Sequence, residues 1–183
     1  MTAKATRPED VLAFWRAAGP DKWFNKDCAF DAEVSSRFFD TWQAAADGRL
    51  AAWEDTPERA LALVLILDQF PRNMFRGGAR SYATDALARA VAERALARGF
   101  DRQIPEIERQ FFFLPFMHSE NAADQERCLA LAEGYGDEEF RKYAQLHLDI
   151  IRRFGRFPHR NPALGRPTTA EERAFLEAGG FAG

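Results

Sequence analysis

The 183-residue chain has two cysteines, three histidines, no surplus of positive charge and no long apolar run. Cys28 and Cys128 are far apart and in no metal-ligand spacing, which argues against a disulfide scaffold and fits a reducing compartment. The longest aliphatic stretch, 60–67, falls far short of the roughly 20 residues that cross a bilayer. Residues 1–10 lack the apolar core of a signal peptide. A cytoplasmic protein without membrane association is therefore the expectation. Lys and Arg number 25 against 28 Asp and Glu, a formal charge of −3, so a nucleic-acid partner is not expected. No glycine-rich loop of the Walker or dinucleotide type is present, and no cofactor is expected. Ser119 beside His118 is no nucleophile elbow.

What is abundant is aromatic: 17 Phe, 4 Trp and 3 Tyr, with 46% hydrophobic residues overall. This suffices for a substantial core in one domain spanning 1–183. Apolar residues recur with a helical period, and no stretch alternates as a strand would. Val11, Leu12, Phe14, Trp15 and Ala18 make one face of a first helix, which Gly19-Pro20 should stop. Val34, Phe38 and Trp42 mark a second helix near 31–47. Thr56-Pro57 starts a third, apolar all round and therefore central, which Pro71 should end. Further helices are expected near 84–98, from Pro105 to Pro115, at 121–133, from Asp137 to Phe154, and from Thr169 to Gly179. Tyr143, Ala144, His147, Ile151 and Phe154 share the inward stripe of the seventh. About eight short helices in hairpins give an all-α fold.

Function is sought where polar groups sit among apolar ones, since burying them without partners costs free energy. Asp68 follows the most hydrophobic helix and needs a cation or N–H donors. Arg72 and Arg76 can supply one, so a structural ion pair is the competing explanation. His118 and Glu120 follow an aromatic run and could meet a ligand or cap the next helix. His147 points toward the core and needs a partner. From 152 to 166 come Arg152, Arg153, Arg156, Arg160 and Arg166 with no acid among them. A guanidinium fork suits carboxylate or phosphate, although a solvated basic loop would read the same way. The three histidines with Glu120 or Asp68 could bind a metal, but no tight ligand motif is present and the arginines would repel a cation. No metal is expected.

Three blocks carry a resemblance. They are Leu67-Asp68-Gln69-Phe70-Pro71-Arg72-Asn73, Phe113-Leu114-Pro115-Phe116-Met117-His118-Ser119-Glu120 and Phe154-Gly155-Arg156-Phe157-Pro158-His159-Arg160-Asn161. Phe14-Trp15, Trp23-Phe24, Leu164-Gly165-Arg166, Thr168-Thr169 and Glu172 also fit. Over nearly its whole length the chain resembles the bacterial domain-of-unknown-function 924 family. The resemblance implies an all-α, tetratricopeptide-like superhelical fold and implies no reaction.

Two functions are weighed. In the first, the blocks converge on a pocket for a small anionic molecule. Asp68, Arg72, Asn73, His147, Arg156, Arg160 and Asn161 would bind it. If the protein is a hydrolase or lyase, His118 or His159 is the acid/base, oriented by Glu120 or Asp68. In the second, the protein is a non-catalytic, tetratricopeptide-like module with a peptide or protein partner, and the polar cluster is internal scaffolding.

Overall fold

Prolines and capping side chains set the helix starts. In the computed structural model, which describes residues 6–182, α1 (Pro8–Ala18) opens on Pro8, whose missing N–H costs nothing there. Half of the segment used for the leader expectation, residues 1–5, lies outside the described part. α3 (Cys28–Ala46) starts under Asp27, which accepts from the amides of Ala29 and Phe30. α4 (Pro57–Val64) starts under Thr56. Asn121 and Asp137 likewise cap α8 (Ala122–Tyr135) and α9 (Glu138–Phe154). Thr169 and Glu172 close a reciprocal capping box on α10 (Ala170–Glu177). Between these lie α2 (Pro20–Trp23), α5 (Phe70–Met74), α6 (Asp85–Ala97) and α7 (Gln110–Met117). Among the described residues there is no strand, and the protein is all-α. None of its described helices is long and apolar enough to cross a membrane.

Three expected proline stops are corrected. Gly19-Pro20 ends α1 but also begins the short α2. Pro71 does not end its helix. The chain passes from α4 through a π-helical turn, Leu65–Gln69, into α5 and stops only at Met74. A proline cannot donate to the carbonyl four residues back, and here the Thr84 hydroxyl donates to that Leu67 oxygen at 2.6 Å. Pro115 likewise lies inside α7, which runs on to Met117.

Two compact units are formed. One comprises residues 6–76 and 80–115, the other residues 77–79 and 116–182. In the first, α4 from Ala60 onward and the π turn are buried, as a stretch apolar on every side must be. Phe14, Trp15, Phe38, Phe70 and Phe111 pack ring against ring near them. In the second, α8 packs along α9. α9 buries Phe140, Ala144, His147, Leu148 and Ile151, a clean helical stripe. Tyr143, expected on that stripe, is 48% exposed. Gly155 ends α9 with φ of 70°, a left-handed cap that favours glycine, and turns the chain into the arginine-rich loop.

Candidate functional site

The first block lies in the first unit, and the hydrogen bonds of its side chains close there. Asp68 is fully buried on the π turn. It accepts from the Gln69 amide at 2.5 Å and has Arg72 Nη1 3.3 Å away. The same guanidinium donates to both oxygens of Asp85, at 3.0 and 3.1 Å, and to the Asp68 carbonyl. Asn73 and Arg76 both donate to Asp31, at 2.8 Å each. A π turn often marks a functional position. Here its carboxylate and the arginine form a satisfied ion-pair network, the competing explanation offered for Asp68.

The second and third blocks come together in the second unit. Glu120, two residues after His118, accepts from the backbone N–H of Phe157, two residues before His159, at 2.9 Å. Arg166 donates to both Glu120 oxygens, at 2.7 and 2.9 Å, and to Asn161 Oδ1 at 3.0 Å. Burial pushes the Glu120 carboxyl up. The hydrogen bonds from Arg166 and Phe157, with the charges of Arg166 and Arg160, outweigh this and hold it below the ordinary value. Glu172 anchors the other side of the loop. It accepts from Arg156 at 2.6 and 2.9 Å, from the Thr169 amide at 2.7 Å and from Asn161 at 3.2 Å. These contacts, the Arg156 bond foremost, lower its carboxyl to about 2. The run of arginines thus finds its acids elsewhere in the sequence. Arg152 pairs with Glu126 and Arg153 with Glu171 as well, exposed bridges of little energetic weight. Arg156, expected to hold an anion, is engaged by Glu172 and by the Pro167 carbonyl at 2.9 Å.

All three histidines belong to this unit and lie close enough to influence one another. His147 Nδ1 is 2.8 Å from the Tyr143 carbonyl oxygen. A carbonyl only accepts, so Nδ1 carries the proton and Nε2 of the neutral ring is left as acceptor. Burial pushes His147 down to about 4. The Tyr143 bond opposes this, and the charges of His118, Arg160 and His159 add to it. His159, on the 3₁₀ turn Pro158–Arg160, is also pushed down to about 4. Burial leads there, then Arg160, with His118 and Arg166 adding and Glu120 opposing. Its Nδ1 is buried with no hydrogen-bond partner among the described residues. Both rings are therefore neutral at pH 7. Arg160 is buried over the Phe157 ring at 4.6 Å, and Asn161 is fully buried. Among the described residues no group of His, Cys, Asp and Glu is arranged to hold a metal ion. Burial raises the Cys128 thiol to about 12, which makes it a packing group rather than a nucleophile.

Sequence reasoning missed four participants. Phe157 and Phe181 wall the imidazoles. Phe157 is 5.4 Å from His147 and 5.7 Å from His159, and Phe181 is 4.5 and 5.3 Å from them. Arg166 is visible in the sequence as a cation but not as the partner of Glu120. Gln125, fully buried, donates to the Met117 and Ser119 carbonyls at 2.6 Å each and so brackets His118. The signal for Gln125 was its spacing from Cys128 and Ala132, which puts a polar residue on the buried stripe of α8. Nothing near Phe181 in sequence advertises its neighbours. The first unit also has an open cleft of about 430 Å³ over the stacked rings of Phe14 and Phe30, edged by Lys22 and Arg37.

Comparison with known proteins agrees with this architecture. The family described as bacterial protein of unknown function (DUF924) matches residues 11–180. The solved structure of the protein of unknown function ATU0120 from Agrobacterium tumefaciens is similar, with a TM-score of 0.90 and 51% identity. The match covers 93% of this chain and 97% of that one. No curated protein matches. Since the family pattern spans the α1 to α10 region almost entire, the chain belongs to the DUF924 family.

Proposed function

We propose that the second unit carries a binding site for a small anion, with His118, His159 and Arg160 as the groups that face it. The observation that carries this reading is the buried His159 Nδ1, which lacks a hydrogen-bond partner among the described residues. Around it Arg160 and Arg166 supply positive charge, and Glu120 supplies the opposing one. A carboxylate or phosphate oxygen there would accept from the imidazole and gain from the arginine in water-poor surroundings. Glu120, Arg156, Asn161, Arg166 and Glu172 form the frame that fixes the His159 loop. Asp68, Arg72 and Asn73 are then framework of the first unit. If the ligand is also a substrate, His159 or His118 is the acid/base of a hydrolytic or eliminating step.

Thermal denaturation with inorganic phosphate, at ionic strength matched with sodium chloride, tests this. Ligand at 100 times its dissociation constant adds about 2.7 kcal/mol, a readily seen rise in Tm for the wild type. His159→Gln should fold and lose that rise. Equal shifts in wild type, variant and chloride control would overturn the reading. A second reading, a tetratricopeptide-like interaction module, draws on Tyr143 and Leu146, three residues apart and exposed on α9. Under it the histidines are scaffolding, and His159→Gln lowers Tm with phosphate making no difference.

A further inference from the structure

The ring of Phe181 occupies the ground between two imidazoles. Its centroid is 4.5 Å from that of His147, with the planes at 61°, and 5.3 Å from that of His159, with the planes at 80°. Phe157 lies against both imidazoles from another direction. Three of these four contacts are edge-to-face, as aromatic rings prefer, and the Phe157–His159 pair is tilted at 37°. Phe181 itself is only partly buried. It reaches this place along Gly179 and Gly180, the first with φ of 82°. A Cβ on Gly180 would stand 2.5 Å from the Phe175 ring, so the path is threaded where glycine fits. Two consecutive glycines precede Phe181, and what holds its ring in place is its packing against the imidazoles and Phe157's neighbours.

From this we infer that the ligand of the histidine site is an aromatic ring bearing one anionic group. Its ring takes the place of Phe181 between His147 and His159, and its anion lies toward Arg160. The inference rests on the anion-site reading above and narrows it. The walls are two imidazoles and one phenyl ring, flat and without net charge at pH 7, so most of the recognition surface is aromatic. The buried guanidinium beside Phe157 is the fixed positive charge next to those walls. A small inorganic anion can lie beside that charge but leaves the aromatic walls to Phe181. An aryl anion uses both. Phe181 is then an internal competitor, and the apparent dissociation constant is the intrinsic one divided by the fraction of molecules in which Phe181 has left.

Isothermal titration with phenylphosphonate, methylphosphonate and benzyl alcohol, on wild type and on Phe181→Ala, decides it. Phenylphosphonate should bind wild type at least tenfold more tightly than methylphosphonate, and benzyl alcohol should bind more weakly than either. Phe181→Ala should tighten phenylphosphonate about tenfold and leave methylphosphonate within twofold. Phe181→Leu, which keeps apolar packing should the alanine variant unfold, should fall between. Equal affinities for the two phosphonates would overturn the aryl inference and leave the anion site standing. Weaker phenylphosphonate binding in both Phe181 variants would overturn the displacement. No phosphonate binding to any of the three proteins would overturn the anion site as well.

Discussion

At the scale of the residue, the second unit is organised by buried groups that each satisfy several others. Glu172 is the clearest. Its carboxylate takes Arg156, Asn161 and the Thr169 amide at once. Removing one partner of a buried pair leaves an uncompensated charge. Because Arg156 is about a quarter exposed, Glu172→Ala should cost about 3 kcal/mol, at the low end for such pairs. Urea denaturation measures it, and a loss under 1 kcal/mol would show that the loop is held otherwise. The histidines give a pH signature whose sign is fixed. His147 and His159 are pushed from 6.5 to about 4 in the folded state. Between those values the unfolded chain binds protons that the folded chain refuses, so stability falls as pH falls. Glu172, lowered from 4.5 to about 2, extends the loss to lower pH by the same reasoning. Tm followed from pH 7 to 4 should decline, and His159→Gln should flatten the decline.

At the scale of the element, helix ends were legible and helix interruptions were not. Thr56-Pro57, Asp137 and the Thr169–Glu172 spacing each carry their own capping chemistry, and the helices begin there. Asp137→Ala should accordingly cost about 1 kcal/mol in the same urea measurement. Pro71 read as a stop because a proline removes one backbone donor locally. What lets the chain continue is a hydroxyl thirteen residues beyond Pro71, at Thr84. That hydroxyl donates to the Leu67 carbonyl and accepts from the Trp42 indole N–H at 3.2 Å. No local pattern reports such a partner. Thr84→Val keeps the shape but strands both groups. It should destabilise by about 1–3 kcal/mol, while Thr84→Ser should restore most of the loss. The arginine loop shows the same limit. Its cations were visible in sequence, but Glu120, Glu126, Glu171 and Glu172 are distant acids whose pairing only folding reveals.

At the scale of the whole molecule, a net acidic chain concentrates buried imidazoles and a buried guanidinium in one unit, around the loop after α9. Reading polar residues in apolar surroundings found His118, Glu120, His147, His159, Arg160 and Asn161, because their burial needed explaining. The same reasoning could not tell frame from site, since that depends on which groups are already hydrogen-bonded. The central claim is that His118 and His159 face an anion. Histidine-selective NMR of the wild type at pH 7, with inorganic phosphate added at constant ionic strength, tests it most directly. Saturable shifts of the His159 and His118 ring resonances are expected, with that of His147 moving less because its Nδ1 is held by Tyr143. Histidine rings unmoved up to tens of millimolar phosphate would contradict it.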